Sequence, residues 1–108
     1  MFNMESLEDV KKGRFDYRGV DLIIAQNLAS RLTEANPARK VKAKWSSYAG
    51  ASLIYRPIGP LGLLRRSVII IKGGAVWIYD SSFRQDVEKI VPEINEASGK
   101  RYDIQYCL

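Results

Sequence analysis

The chain contains no histidine and only one cysteine, Cys107, among its 108 residues. Without histidine, neither a Ser-His-Asp triad nor a Cys-His nucleophile pair can be built. Zinc sites that use histidine are excluded for the same reason, and one cysteine cannot make a thiolate site within one chain. Cys107 has no partner for an intrachain disulfide, so the fold does not depend on one and a reducing compartment fits. Its ordinary reading is an inert thiol near the C-terminus. Long apolar runs are also missing. Segments such as Val68-Ile69-Ile70-Ile71 fall far short of the roughly 20 residues that span a bilayer. Met1 to Val10 carries Glu5, Glu8 and Asp9, where a secretory signal would need a basic and then an apolar stretch. The expectation is a cytoplasmic protein with no membrane partner. No cofactor motif stands out, and no cofactor is expected. Gly73-Gly74 is not followed directly by a helix, as a phosphate-binding loop would be.

The composition is that of a globular chain, with 46% hydrophobic and 27% charged residues. The length suits one domain with one modest core. Acidic residues are absent between Glu34 and Asp80. That window carries Arg39, Lys40, Lys42, Lys44, Arg56, Arg65, Arg66 and Lys72, a net charge of +8. The rest of the chain has nine basic and twelve acidic residues, a net of −3. The overall +5 is therefore unevenly placed. A separated distribution makes a stronger local field than the total suggests, and it favours a polyanionic or acidic partner.

Hydrophobic periodicity sets the architecture. Residues 1–19 are polar and weakly patterned and are expected to form a loosely structured arm. Within it Ser6 and Asp9 could open one helical turn and Gly13 could end it. In residues 20–108, read as a single α+β domain, Val20, Ile24, Leu28 and Leu32 recur at spacing four and mark a helix over 21–35. Asn36-Pro37 ends it, because the residue before proline is pushed out of the helical region. The period then drops to two. Val41, Ala43 and Trp45 alternate with Lys40, Lys42 and Lys44, which reads as a half-buried strand with a lysine face. Residues 51–56, 66–72 and 75–79 are the next three strands. Pro57 closes the first of them. The last two are joined by Gly73-Gly74, which suits a type I′ turn because both central positions need positive φ. A second helix starts near Ser82, with Ser82 and Gln85 spaced as a capping box. Pro92 should kink or split this helix, and Gly99 should stop it. Residues 102–108 alternate again as a final strand, suited to parallel pairing. The fold class is a two-layer α+β sandwich in the order α-β-β-β-β-α-β. Its sheet is mainly antiparallel and its helices lie on one face.

The glycine turn also fixes which side chains share a face. Ile69, Ile71, Val76 and Ile78 fall on one side, suited to packing under the helices. Val68, Ile70, Lys72, Trp77 and Tyr79 fall on the other. An open second face makes Trp77 and Tyr79 an aromatic platform beside Lys72, the combination that stacks unpaired bases. A second face covered by the 57–64 loop, the arm or another chain makes the same residues core. Lys40, Lys42 and Lys44 repeat about every 6.5–7 Å, close to the phosphate spacing of a nucleic-acid strand. Lysines on an edge strand also serve simply to block edge-to-edge aggregation.

Two functional readings follow. In the first, the chain is a small non-catalytic nucleic-acid-binding domain, an accessory or regulatory factor using a basic β-meander. Lys40, Lys42, Lys44, Arg65 and Arg66 contact phosphates, with Arg39 and Arg56 beside them, and Lys72, Trp77 and Tyr55 line the platform. In the second, it is a protein-binding module or inhibitor that docks an acidic partner protein. It would use the same basic sheet or the apolar loop of Ile58, Leu61, Leu63 and Leu64. A homodimer formed through an edge strand or the Trp77 face is compatible with either. Enzyme readings rank lower. A magnesium-dependent nuclease of the restriction-endonuclease-like order needs an acid two residues before its lysine, but the strand reads Ile70-Ile71-Lys72. The likeness to double-stranded-RNA-binding domains is one of topology alone, since Asp80-Ser81-Ser82-Phe83 replaces their basic entry to the last helix. A metal-free ribonuclease drawing on Tyr55, Arg56, Arg65, Arg66 and Tyr79 stands last.

Overall fold

The computed structural model describes residues 4–47, 50–55 and 66–107. The elements are α1 (Met4–Lys11), α2 (Tyr17–Ala35), β1 (Val41–Ser46), β2 (Gly50–Tyr55), β3 (Arg66–Lys72), β4 (Ala75–Ile78), α3 (Arg84–Ser98) and β5 (Asp103–Tyr106). The strands form one sheet in the order β1-β2-β3-β4-β5. The first four make an antiparallel meander, and β5 returns parallel to β4. The expected two-layer α+β sandwich is therefore the fold. No helix among the described residues is long and apolar enough to cross a membrane.

The expected hairpin register is observed from Ile69 to Ile78, but Val68, expected on the second face with Trp77, is buried in the core cluster beside the irregularity in the β2–β3 pairing. Lys72 pairs with Ala75, Ile71 with Val76, Ile70 with Trp77 and Ile69 with Ile78. Gly73 and Gly74 have φ of 62° and 75°, which a residue with a Cβ adopts only at a cost. The Tyr79 N–H continues the ladder by donating to the Val68 carbonyl at 2.8 Å. The aliphatic side of this hairpin is fully buried. It packs with Ala51 and Leu53 of β2, with Ile24, Leu28 and Leu32 of α2, and with Phe83, Val87 and Ile94. A bulge between Leu53 and Ile54 shifts the β2–β3 register by one residue on β3.

Four local expectations are corrected. Residues 4–11 are not a loose arm but a helix whose Leu7 and Val10 are buried in the common core beside α3. A helix this short draws its stability from such burial rather than from propensity. Gly13, with φ of 75°, ends it as expected. The second helix, α2, begins one turn earlier than the apolar stripe suggests, because the Asp16 carboxylate accepts from the Gly19 N–H at 2.8 Å. Ser82 does not cap α3. It lies in a 3-10 turn over Ser81–Phe83, where the Asp80 carboxylate accepts from its N–H at 2.9 Å and its hydroxyl at 2.7 Å. Finally, of the kink or split expected at Pro92, the split does not occur, and α3 continues through it to Ser98. Pro92 is on the exposed side, where water can serve the backbone group that loses its partner.

The C-terminal strand is fastened at its root. Asn95 binds the Tyr102 backbone in both directions, accepting from its N–H at 3.0 Å and donating to its carbonyl at 3.1 Å. The Tyr102 hydroxyl, on a side chain only 7% exposed, donates to Asp21 of α2 at 2.6 Å. Burial first, and then Asp21, hold this hydroxyl protonated well above the ordinary tyrosine range. Tyr102→Phe should therefore cost about 1–2 kcal/mol at neutral pH, since it leaves a partly buried carboxylate short of a donor. The folded state binds this proton more tightly than the unfolded chain does. Stability should then fall as pH rises past about 10, by up to about 1.4 kcal/mol per unit for this group. Denaturant titrations of both proteins should show the gap between them shrinking above that pH. A constant gap would contradict the assignment.

Candidate functional site

The face of the sheet turned away from the helices carries the candidate site. Alternation places Lys42 and Lys44 of β1, Ser52 and Ile54 of β2, Ile70 and Lys72 of β3, and Trp77 of β4 on it. Lys42, Lys44 and Lys72 are exposed, and so is Lys40, just ahead of β1. Trp77 is 36% exposed and Tyr79 is 44% exposed. The aromatic pair therefore stands open to solvent and is not core. The Trp77 indole N–H donates to the Lys72 carbonyl at 3.2 Å, which fixes the ring across its own hairpin. Ile70, Lys72, Gly73, Trp77, Tyr79 and Cys107 together line a shallow groove of about 500 Å³. Desolvation, and then the neighbouring Cys107 thiol, push the Tyr79 hydroxyl above its ordinary value.

The register gives the spacing of the site. Lys44 lies opposite Ser52, Ser52 opposite Ile70, and Ile70 opposite Trp77. This row crosses three strand intervals, so Lys44 and Trp77 stand about 14 Å apart. Lys42 and Lys44 occupy the β1 edge of the face, Lys72 stands with Trp77 and Tyr79 further in, and half-buried Ile54 and Ile70 lie between the two groups.

Two expected contributors lie elsewhere. Arg39 is on the helix side, its guanidinium 4.0 Å from the centre of the Phe83 ring and 3.5 Å from the Asp86 carboxylate. It also donates to the Ser82 carbonyl at 3.3 Å, and its buried Nε finds no partner among the described residues. Arg39 thus ties the segment before β1 to the start of α3, leaving it no part in the open face. Tyr55 also points to the helices, because it shares its face with Leu53 and Ala51. It packs edge-on against Phe83, with ring centres 5.7 Å apart. Arg56, Arg65, Ile58, Leu61, Leu63 and Leu64 lie outside the described residues, as does the 57–64 loop expected as a cover. Arg66 opens β3.

A further group was not visible in the sequence. Phe15, Tyr17, Arg18, Lys100 and Arg101 gather at the end of the sheet where Gly73-Gly74 turns. Their convergence depends on β5 starting beside the N-terminal end of β4, which no local pattern encodes. Among the described residues, no three His, Cys, Asp or Glu side chains are arranged to hold a metal ion.

These features define a small α+β domain with three helices on one face of a five-stranded sheet and an open basic and aromatic face on the other. Compared with known proteins, the chain matches no family model, no curated protein and no solved structure.

Proposed function

We propose that the chain is a small non-catalytic nucleic-acid-binding domain that uses the open face of its sheet. One observation carries the reading: three exposed lysines, Lys42, Lys44 and Lys72, share that face with two exposed aromatic rings, Trp77 and Tyr79. Cations alone would suit any polyanion. Cations beside accessible aromatic rings suit a ligand that offers phosphates and bases together. The interleaved lysines of β1 also match the repeat of a phosphate backbone.

Binding of labelled oligonucleotides, followed by fluorescence anisotropy, tests this directly. Each phosphate neutralised contributes about −0.7 to −0.9 to the slope of log affinity against log salt. Three lysines should therefore give a slope of about −2 to −3. A flat salt response, or no binding at low salt, would sink the proposal. A protein partner captured equally well after digestion of all DNA and RNA would favour docking to an acidic protein instead.

A further inference from the structure

We infer that the ligand is single-stranded and leaves the sheet face by turning around the Gly73-Gly74 tip, onto a second contact surface made by Tyr17, Arg18, Lys100 and Arg101. This inference rests on the nucleic-acid reading above and names the ligand's form and its path.

The exposed aromatic residues give the first support. The large hydrophobic side chains exposed among the described residues are Phe15, Tyr17, Trp77, Tyr79 and Tyr106. Tyr106 borders none of the depressions at the hairpin tip, and its hydroxyl donates to Glu88. The other four all border depressions around the same hairpin tip. Exposing a large ring has a hydration cost, so four such rings around one turn point to a ligand that covers them.

The depressions are also contiguous. One, holding Trp77 and Tyr79, is on the open face. A second, of about 340 Å³, includes Tyr17, Arg18 and Trp45. A third, of about 430 Å³, includes Phe15, Tyr17, Lys100 and Arg101. Gly73 borders all three, and Lys72 joins the first to the second. At the turn itself neither glycine carries a side chain, and a Cβ built on either would meet nothing within 4 Å. The track is therefore unobstructed where it changes direction.

Charge follows the same track. Lys72, Arg18, Lys100 and Arg101 line it. Asp21 also lines the second and third depressions, where it accepts from the Tyr102 hydroxyl, so four cations stand against one carboxylate along the track. Asp16 caps α2. Asp103 is exposed opposite Ala75. The path turns a corner within the width of one hairpin. A duplex, with a persistence length of about 50 nm, does not bend on that scale, and its base faces are already stacked. A single strand bends freely and presents each base to a ring.

The test compares oligo(dT) and oligo(U) of about fifteen nucleotides with a duplex of the same length, by anisotropy at low salt. Both single strands should bind at least about tenfold more tightly than the duplex. Tyr17 is 69% exposed, so Tyr17→Ala should leave the melting curve unchanged while lowering single-strand affinity about tenfold. Lys100→Glu with Arg101→Glu should do the same and should reduce the salt slope. Equal or tighter duplex binding would overturn the inference. So would wild-type single-strand affinity in both tip variants while Lys42→Glu with Lys44→Glu loses binding, and in that case the nucleic-acid reading survives alone. If neither strand nor duplex binds, both fall. The oligo(dT) and oligo(U) arms separate DNA from RNA.

Discussion

Phe83→Ala should destabilise the domain by about 3–5 kcal/mol, enough to consume much of a typical folding free energy. Phe83 is completely buried and joins three parts of the molecule. Tyr55 of β2 meets its ring edge-on, Arg39 lies over its face, and its own backbone closes the turn that Asp80 organises before α3. Removing the ring leaves a cavity beneath the sheet. It also strips the Arg39 guanidinium of an apolar surface while its Nε stays buried and unpartnered among the described residues. A cation over an aromatic face contributes about 0.5–2 kcal/mol, so the loss should exceed that of a simple core truncation. Phe83→Leu keeps most of the volume and should cost roughly half as much. Urea denaturation measures both. A Phe83→Ala unfolding free energy within about 1 kcal/mol of wild type would show that this contact does not anchor the fold.

Much of the fold was readable because its strongest signals are local. Val20, Ile24, Leu28 and Leu32 announce α2 through spacing alone. Two adjacent glycines between β-branched runs specify both the turn and the register of β3 with β4. The misplaced features depend on partners distant in the chain. Leu7 and Val10 are too few to mark a helix by period, and they become helical core only because α3 lies beside them. Asp80 and Ser82 are both plausible caps by residue type, and only the backbone geometry of the 3-10 turn selects Asp80.

The same division runs through the candidate site. The period-two pattern of β1 puts Lys42 and Lys44 on one side of their strand, and the hairpin register puts Lys72 and Trp77 on one side of theirs; that the two sides form a single face, and that Trp77 is exposed on it, follows only from the assembled sheet. Arg39 differs because its charge and ring partners, Asp86 and Phe83, come from the α3 region. Tyr17 and Arg18 stand more than eighty residues from Lys100 and Arg101 in the sequence, and no local pattern links the two pairs. They meet only because α2 starts, and β5 begins its parallel course, at the same end of the sheet.

Replacing Lys42 and Lys44 together by glutamate should produce the largest loss of nucleic-acid affinity available without touching the core. Both side chains are exposed on β1, and no ion pair to either is found among the described residues. Their substitution should therefore leave the fold intact. Losing two phosphate contacts removes about 1.4–1.8 from the salt slope. At 0.1 M salt, the counterion release forgone amounts to about 1.9–2.5 kcal/mol, a factor of roughly 25 to 60. Two carboxylates facing the backbone add repulsion, so the measured factor should exceed that range. Lys42→Gln with Lys44→Gln removes charge without reversing it and should fall within the range. The loss should also shrink as salt rises, because screening weakens the interaction in the wild type more than in the variants. Stacking on Trp77 responds differently, since Trp77→Ala should lower affinity while leaving the salt slope unchanged. If the glutamate pair binds as tightly as wild type at low salt, β1 is a protected sheet edge and no more, and phosphates do not follow its lysines.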